Sequence, residues 1–170
     1  MKTKSSYVVP WVIAGIVMAV IFFFSSQNGE SSGSISDEIA LFALGIFYPE
    51  YFALPVEEAA VVFDTCCYIV RKCAHFVIYF CLGAPLMVAF YNMPLWQEDS
   101  NKIRAFRSMG NAAAVGIIYA ISDEFHQFFI VERSGQILDV GIDSLGVIAG
   151  LFIAAAVLHI IDRKTAAKLH

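Results

Sequence analysis

Two adjacent carboxylates, Asp123 and Glu124, stand in the apolar stretch IIYAISDEFHQFF and most need a chemical explanation. A charged side chain in such a run is costly unless a counter-charge, a metal ion or a proton accompanies it. His126 and Gln127 follow within one turn, so a single helical stretch carries an acid pair, an imidazole and an amide. Arg71, Lys72 and His75 stand at the start of another apolar run, with Arg71, His75 and Tyr79 at i, i+4 and i+8 on one slowly turning face. Arg133 follows the acid pair. Asp139 and Asp143 then open the last apolar run one turn apart, and Gly146 and Gly150 continue their stripe, which lets another helix approach closely.

These residue types fit several chemistries. Asp123 or Glu124 is suited to act as general base, His75 or His126 to carry a proton, and Asp139 or Asp143 to orient them. Arg71, Lys72 and Arg133 are suited to anionic groups. Gln27, with Ser25 and Ser26, ends the first apolar run and adds an amide at the same expected depth. No nucleophile stands out. Carboxylates with imidazoles can also bind zinc or another divalent ion, but no HExxH or comparable spacing marks such a site, so metal and cofactor stay open. Each residue also has a purely structural reading. Arg71, Lys72 and Arg133 near helix ends can snorkel, Asp139 and Asp143 can simply favour a helix amino terminus, and a histidine can be hydrogen-bonded for structure alone.

The elements that must position these groups are legible in the composition. Of 170 residues, 59% are hydrophobic and 15% charged, against roughly 45–50% and 25% in a soluble domain, so much of the apolar surface must face lipid. The runs predict an all-α membrane protein: a bundle of four transmembrane helices at about 8–25, 73–91, 111–131 and 140–161, forming one domain over residues 1–170. The first run follows Lys2 and Lys4 like a signal peptide. It is too long for one and ends FFFSSQNGE without a small-residue cleavage site, so it reads as a retained helix.

Between the first two spans, Gly29 to Ser36 reads as a Ser/Gly-rich loop and Ser36, Asp37 and Glu38 as a helix start. Apolar residues at helical spacing then predict two amphipathic segments, one with Ile39, Phe42, Ala43, Ile46 and Phe47, the other with Ala59, Ala60, Val62, Phe63, Cys66 and Cys67. These can lie on the outer membrane surface. The alternatives are a hairpin packed on the bundle, or a longer second helix starting near Val56. Cys66, Cys67, Cys73 and Cys81 form no CxxC pair. A net charge of −4 and the absence of any zinc-finger or phosphate-loop spacing argue against nucleic-acid partners.

The segments RKCAHFVIYFCLG, YAISDEFHQFF and ERSGQILDVGIDSLGVIAG, together with FFFSSQ and the serines after it, resemble the VanZ-like family of bacterial membrane proteins over nearly the whole chain. That family's order is Lys-x-x-His on one helix, Asp-Glu-x-x-Gln on the next, then Arg and Asp before a Gly-bearing last helix. Lys72, His75, Asp123, Glu124, Gln127, Arg133, Asp139 and Gly146 match it. Glu132 departs, standing where a Gly often precedes the Arg, and Asp143 occupies a position where Asn is common. The family is named after an accessory protein of glycopeptide resistance linked to teicoplanin, so the resemblance implies an envelope role and no particular reaction.

Three functions follow as expectations. The first is a site near the outer leaflet that binds or modifies a membrane lipid, a lipid-linked envelope precursor or a lipoglycopeptide. The second is a non-enzymatic binding or scaffold protein, and the third a proton-coupled transporter, for which four helices leave little room without oligomerisation. The charge count sets the orientation: with the amino end inside, eight Lys and Arg fall in the cytoplasm (Lys2, Lys4, Lys102, Arg104, Arg107, Arg163, Lys164, Lys168) and three outside. Both termini should therefore be cytoplasmic, and a reporter fused at His170 should be active only as a cytoplasmic reporter. Activity confined to an extracytoplasmic reporter would overturn this orientation.

Overall fold

The computed structural model describes residues 5–96, 99–133 and 135–167, and these are all-helical, without a strand. Five α-helices follow in order: α1 (Ser5–Ser25), α2 (Gly29–Phe47), α3 (Val56–Tyr91), α4 (Asn101–Gln127) and α5 (Ile137–Ala167). Lys2, Lys4 and Lys168 lie outside the described residues.

The breaks follow local chemistry. Helix α1 ends in a polar turn where Ser26 Oγ donates to the Phe22 carbonyl at 2.7 Å. Helix α2 stops before Pro49, and Pro55 immediately precedes α3, where a missing N–H costs nothing. Ser100 leads into α4, whose last turn closes through the Phe128 amide onto the Phe125 and His126 carbonyls.

Several expected boundaries change. Residues 29–36 are not a loop but the first two turns of α2. The second amphipathic segment is no separate element. It forms the start of a 36-residue α3, as the alternative of a longer helix from Val56 anticipated. The span expected at 111–131 starts ten residues earlier and stops at Gln127. Serine and glycine weaken α2 locally, yet burial of Ala40 and Leu44 on the bundle outweighs that propensity, and tertiary packing commonly decides such cases.

Three helices, α1, α3 and α5, are long and apolar enough to cross a membrane. Helix α4 is not among them, because Asn111 and the Asp123–Glu124 pair dilute its apolar stretch.

Helix α3 is the axis of the assembly. It packs against each of the other four helices, most extensively against α5, which in turn packs on α4. Glycines set the α3–α5 spacing. A Cβ at Gly146 would meet the Phe76 carbonyl, one at Gly150 the Phe80 carbonyl, and one at Gly83 the Val147 carbonyl. Val147, fully buried, also fills the space over Gly116 of α4, where a Cβ would lie 2.6 Å from its Cγ1. Such small-residue contacts give membrane helices the close packing that a hydrophobic driving force cannot supply in lipid.

A second polar group joins the same three helices at their other end. Tyr91 of α3 donates to Asp162 of α5, and Arg104 of α4 donates to the Tyr91 hydroxyl at 2.8 Å and to Asp162 at 3.5 Å. Asn92 ties this end to α1 by donating to the Ser6 carbonyl at 3.1 Å.

The glycine contact gives a direct test. Gly150→Val should force α3 and α5 apart at the cost of an overpacked core, about 1–3 kcal/mol or more, and be read as loss of the monodisperse peak and a lower melting temperature in detergent. Gly141→Ala, where nothing lies within 4 Å of the new Cβ, should leave both unchanged.

Candidate functional site

The polar groups converge where the ends of α1 and α4 and the first part of α5 meet the middle of α3. On α3, the side chains from Arg71 to Tyr79 sweep around the helix at about 100° per residue, so Arg71, His75 and Tyr79 point to one region and Lys72 toward α5. Lys72 makes an ion pair with Asp139 and donates to Gln136 Oε1 at 3.3 Å. One turn further, His75 Nδ1 lies 3.1 Å from Asp143 Oδ1. The bases of α3 are thus paired with the acids that open α5, two rungs stacked along the close α3–α5 contact.

The one-turn spacings predict Asp123 or Glu124 within hydrogen-bond or ion-pair reach of Arg71, Lys72, His75 or Arg133, and the nearest approach shown is a Glu124 oxygen within 4.8 Å of a His75 ring nitrogen. Among the described residues neither makes an ion pair with those groups. Asp123 accepts from the Tyr79 hydroxyl at 3.2 Å, and Glu124 accepts from Gln127 Nε2 at 3.1 Å and from the Gln136 amide at 2.9 Å. Helix geometry explains the split. Asp123 and Gln127 are one turn apart and share a face, Glu124 flanks that face toward α5, and His126 flanks it toward α1. The His126 ring stacks on Phe22 with centroids 4.9 Å apart, and its Nε2 lies 3.2 Å from Ser26 Oγ. This histidine does not join the other candidates.

Beside these pairs lies a cavity of about 270 Å³. Arg71, His75, Tyr79, Asp123, Gln127, Arg133, Ser25 and Gln27 supply its polar wall. Ile21, Phe24, Val70 and Ile78 supply much of the apolar wall, and α2 closes one side with Ile35, Ser36 and Ile39. Of the expected site residues, Arg71, His75, Asp123, Gln127, Arg133 and Gln27 line the cavity. Lys72, Glu124, Asp139 and Asp143 stand behind it, and His126 lies outside. Ser25 and Tyr79, expected in the polar layer without a role in the site, line the cavity too, as does Ser36, which is expected only at a helix start. Tyr79 could have been given a role, from its i+8 position after Arg71, whereas no local signal brings Ser36 of α2 to the site.

Two polar atoms of the cavity-lining residues are buried without a hydrogen-bond partner among the described residues, Ser25 Oγ and Asp123 Oδ1. Buried polar atoms are seldom left so. Arg133 donates at 3.2 Å to the Phe24 carbonyl, one of the last of α1, which also accepts from the Gln27 amide at 3.3 Å. Burial first, and then the nearby charge of Arg71, push the Arg133 guanidinium down from its usual value, and it remains a cation at neutral pH. The loop before it turns through Glu132 at φ 62°, a left-handed conformation that suits glycine. The chain therefore keeps a glycine-like turn with a glutamate in it.

Lys72 and Asp139, whose side chains are 12% and 9% exposed, form a largely buried pair, so removing one charge strands the other. Lys72→Met should cost about 3–5 kcal/mol of stability, and the double variant Lys72→Met/Asp139→Asn should recover much of it. A double-mutant cycle by thermal melting in detergent measures this, and additive losses would refute the pairing.

No curated protein and no solved structure was found to match the chain. The sequence model of the VanZ/LLP1 family matches residues 10–159, which include every residue that lines the cavity and both rungs of paired charges. On that match, and with three helices able to cross a membrane, the chain is a membrane protein that belongs to the VanZ/LLP1 family.

Proposed function

We propose that this chain is a bacterial cell-envelope protein whose cavity, near the outer leaflet, binds the anionic headgroup and adjoining hydrocarbon of a membrane lipid or lipid-linked envelope precursor. The observation that carries this reading is the convergence of Arg71 and Arg133 on a cavity whose remaining wall is largely aliphatic and aromatic. Two guanidiniums suit a phosphate or carboxylate, and Ile21, Phe24, Val70 and Ile78 suit a chain. Asp123 Oδ1 would accept from a hydroxyl or ammonium on the same headgroup. A volume of about 270 Å³ lies at the small end of ligand pockets. It suits a headgroup with the start of its chain, and not the peptide scaffold of a whole lipoglycopeptide.

The reading includes four crossings, with both termini in the cytoplasm and α2 outside. In support, α4 packs along α3 and α5 and turns Ile118, Ile121 and Phe125 outward, each more than half exposed. The two polar layers also keep one spacing on all three helices. His75 to Tyr91, Arg104 to Asp123 and Asp143 to Asp162 are sixteen to nineteen residues apart, roughly 24–28 Å at helical rise, close to the roughly 30 Å of a hydrocarbon core. Helix α3 is too long for that thickness, so its first turns, with Glu57, Glu58 and Asp64, would stand outside beside α2.

The link to resistance comes from the family's naming after a teicoplanin-resistance accessory protein. Occupying an outer-leaflet lipid would interfere with a drug that anchors or acts there. Arg71→Gln and Arg133→Gln should each weaken retention of phosphatidylglycerol by the full chain, measured by native mass spectrometry, about tenfold for a lost charged hydrogen bond. Each should also lower teicoplanin resistance at equal abundance in the membrane. Wild-type retention and resistance in both variants would overturn the reading, and losses proportional to folded protein would favour a scaffold.

A further inference from the structure

Behind the cavity, three carboxylates, Asp139, Asp143 and Glu124, face two bases, Lys72 and His75. Lys72 is taken up by Asp139, which leaves Glu124 and Asp143, both buried, with the single imidazole of His75 between α4 and α5. One ligand-capable atom from each of His75, Glu124 and Asp143 lies within 4.8 Å of the others. Asp143 is 0% exposed, and its Oδ2 has no hydrogen-bond partner among the described residues although its Oδ1 meets His75. An orphaned carboxylate oxygen at full burial is a costly arrangement unless a hydrogen-bond donor or a cation engages it.

We propose that His75, Glu124 and Asp143 form a three-ligand site for one divalent transition-metal ion, of the zinc or manganese class. The donor set of one imidazole and two carboxylates suits these ions. Metal–ligand bonds run at about 2.0–2.2 Å, so closing the three atoms onto one ion takes side-chain movements of less than about 1 Å. The 3.1 Å between His75 Nδ1 and Asp143 Oδ1 is already a separation that two ligands of one ion adopt. A proton on His75 balances one of the two carboxylates and leaves the second to a further proton or a second cation. A divalent ion neutralises both, and bidentate binding by Asp143 would bring its orphaned Oδ2 to the ion together with Oδ1.

The outer shell is in place. Gln127 Nε2 and the Gln136 amide each donate to one oxygen of Glu124, fixing the carboxylate plane while each oxygen keeps a free lone pair. Lys72 holds Asp139 away from the ion. Three protein ligands leave the other coordination positions to water or to an anionic oxygen of a cavity occupant, since His75 also lines the cavity. The site adjoins the proposed lipid cavity through His75 and does not depend on what that cavity binds.

The test uses the full chain, purified in detergent without a histidine tag, stripped with EDTA and titrated separately with Zn2+ and Mn2+. Elemental analysis after desalting should give one ion per chain, with a raised melting temperature. Asp143→Asn and Glu124→Gln should each weaken binding by about 100-fold or more, while Asp123→Asn, next to the site but outside the ligand set, should retain the ion. Co2+ added to the stripped wild-type protein should give visible absorption bands of four- or five-coordinate nitrogen and oxygen ligation, a readout that needs no variant to fold. No retained ion together with no Co2+ bands would overturn the site, as would equal binding by folded Asp143→Asn and wild type. Lipid retention, measured separately, would leave the cavity reading standing in either case.

Discussion

The close contact of α3 with α5 is the constraint on which the rest depends. Gly83, Gly146 and Gly150 bring backbone against backbone, and only at that distance can the short side chains of Asp139 and Asp143 reach Lys72 and His75. The two charge pairs and the glycine contact form one continuous seam. Dispersion between closely packed helices and satisfaction of buried charge replace the hydrophobic driving force that lipid removes. Because the seam consumes Lys72 on one side of α3, Arg71 is left on the other, exposed and beside the cavity.

The cavity in turn exists because three segments that carry no charge pair close around this seam. The end of α1 contributes Ile21, Phe24 and Ser25, and Arg133 fastens the loop after α4 to the Phe24 carbonyl. Helix α2 supplies the remaining wall. It is anchored on α3 by Ala40, Leu44 and the Cys67 thiol, which donates to Asp37 at 3.3 Å. A connection between two apolar helices thereby becomes part of the cavity wall, which combines apolar sides with a few placed polar groups.

The group at the far end, Tyr91, Arg104 and Asp162, links the same three helices that the contacts of Lys72, His75 and Tyr79 link. Two cross-braces at opposite ends of three helices fix their register, since sliding any one helix by a turn would break both. The apolar length between the braces has no such specificity and relies on small residues such as Gly116 and Ala120 to let Val147 and its neighbours interlock.

The sequence by itself determined the helical, lipid-facing character of the chain, because composition and run length report directly on the solvent that surrounds a helix. It also determined most of the residues that gather, His126 and Ser36 being the exceptions. The i, i+4 spacings of Arg71 with His75, Asp123 with Gln127 and Asp139 with Asp143 fix shared faces whatever the surroundings, and the order of those residues carried the family resemblance that the match over residues 10–159 bears out. Partner choice was decided only by the tertiary structure. Lys72 could as well have met Asp123 as Asp139, and it is the glycine spacing between α3 and α5, a relation between distant segments, that selects Asp139. His126 illustrates the same limit: its position one turn from Asp123 was legible, but α1 packs on that flank of α4 and draws the ring onto Phe22. The helicity of residues 29–36 was decided in the same way, since burial against α3 overrides the weak local propensity of serine and glycine, and no local window contains that partner.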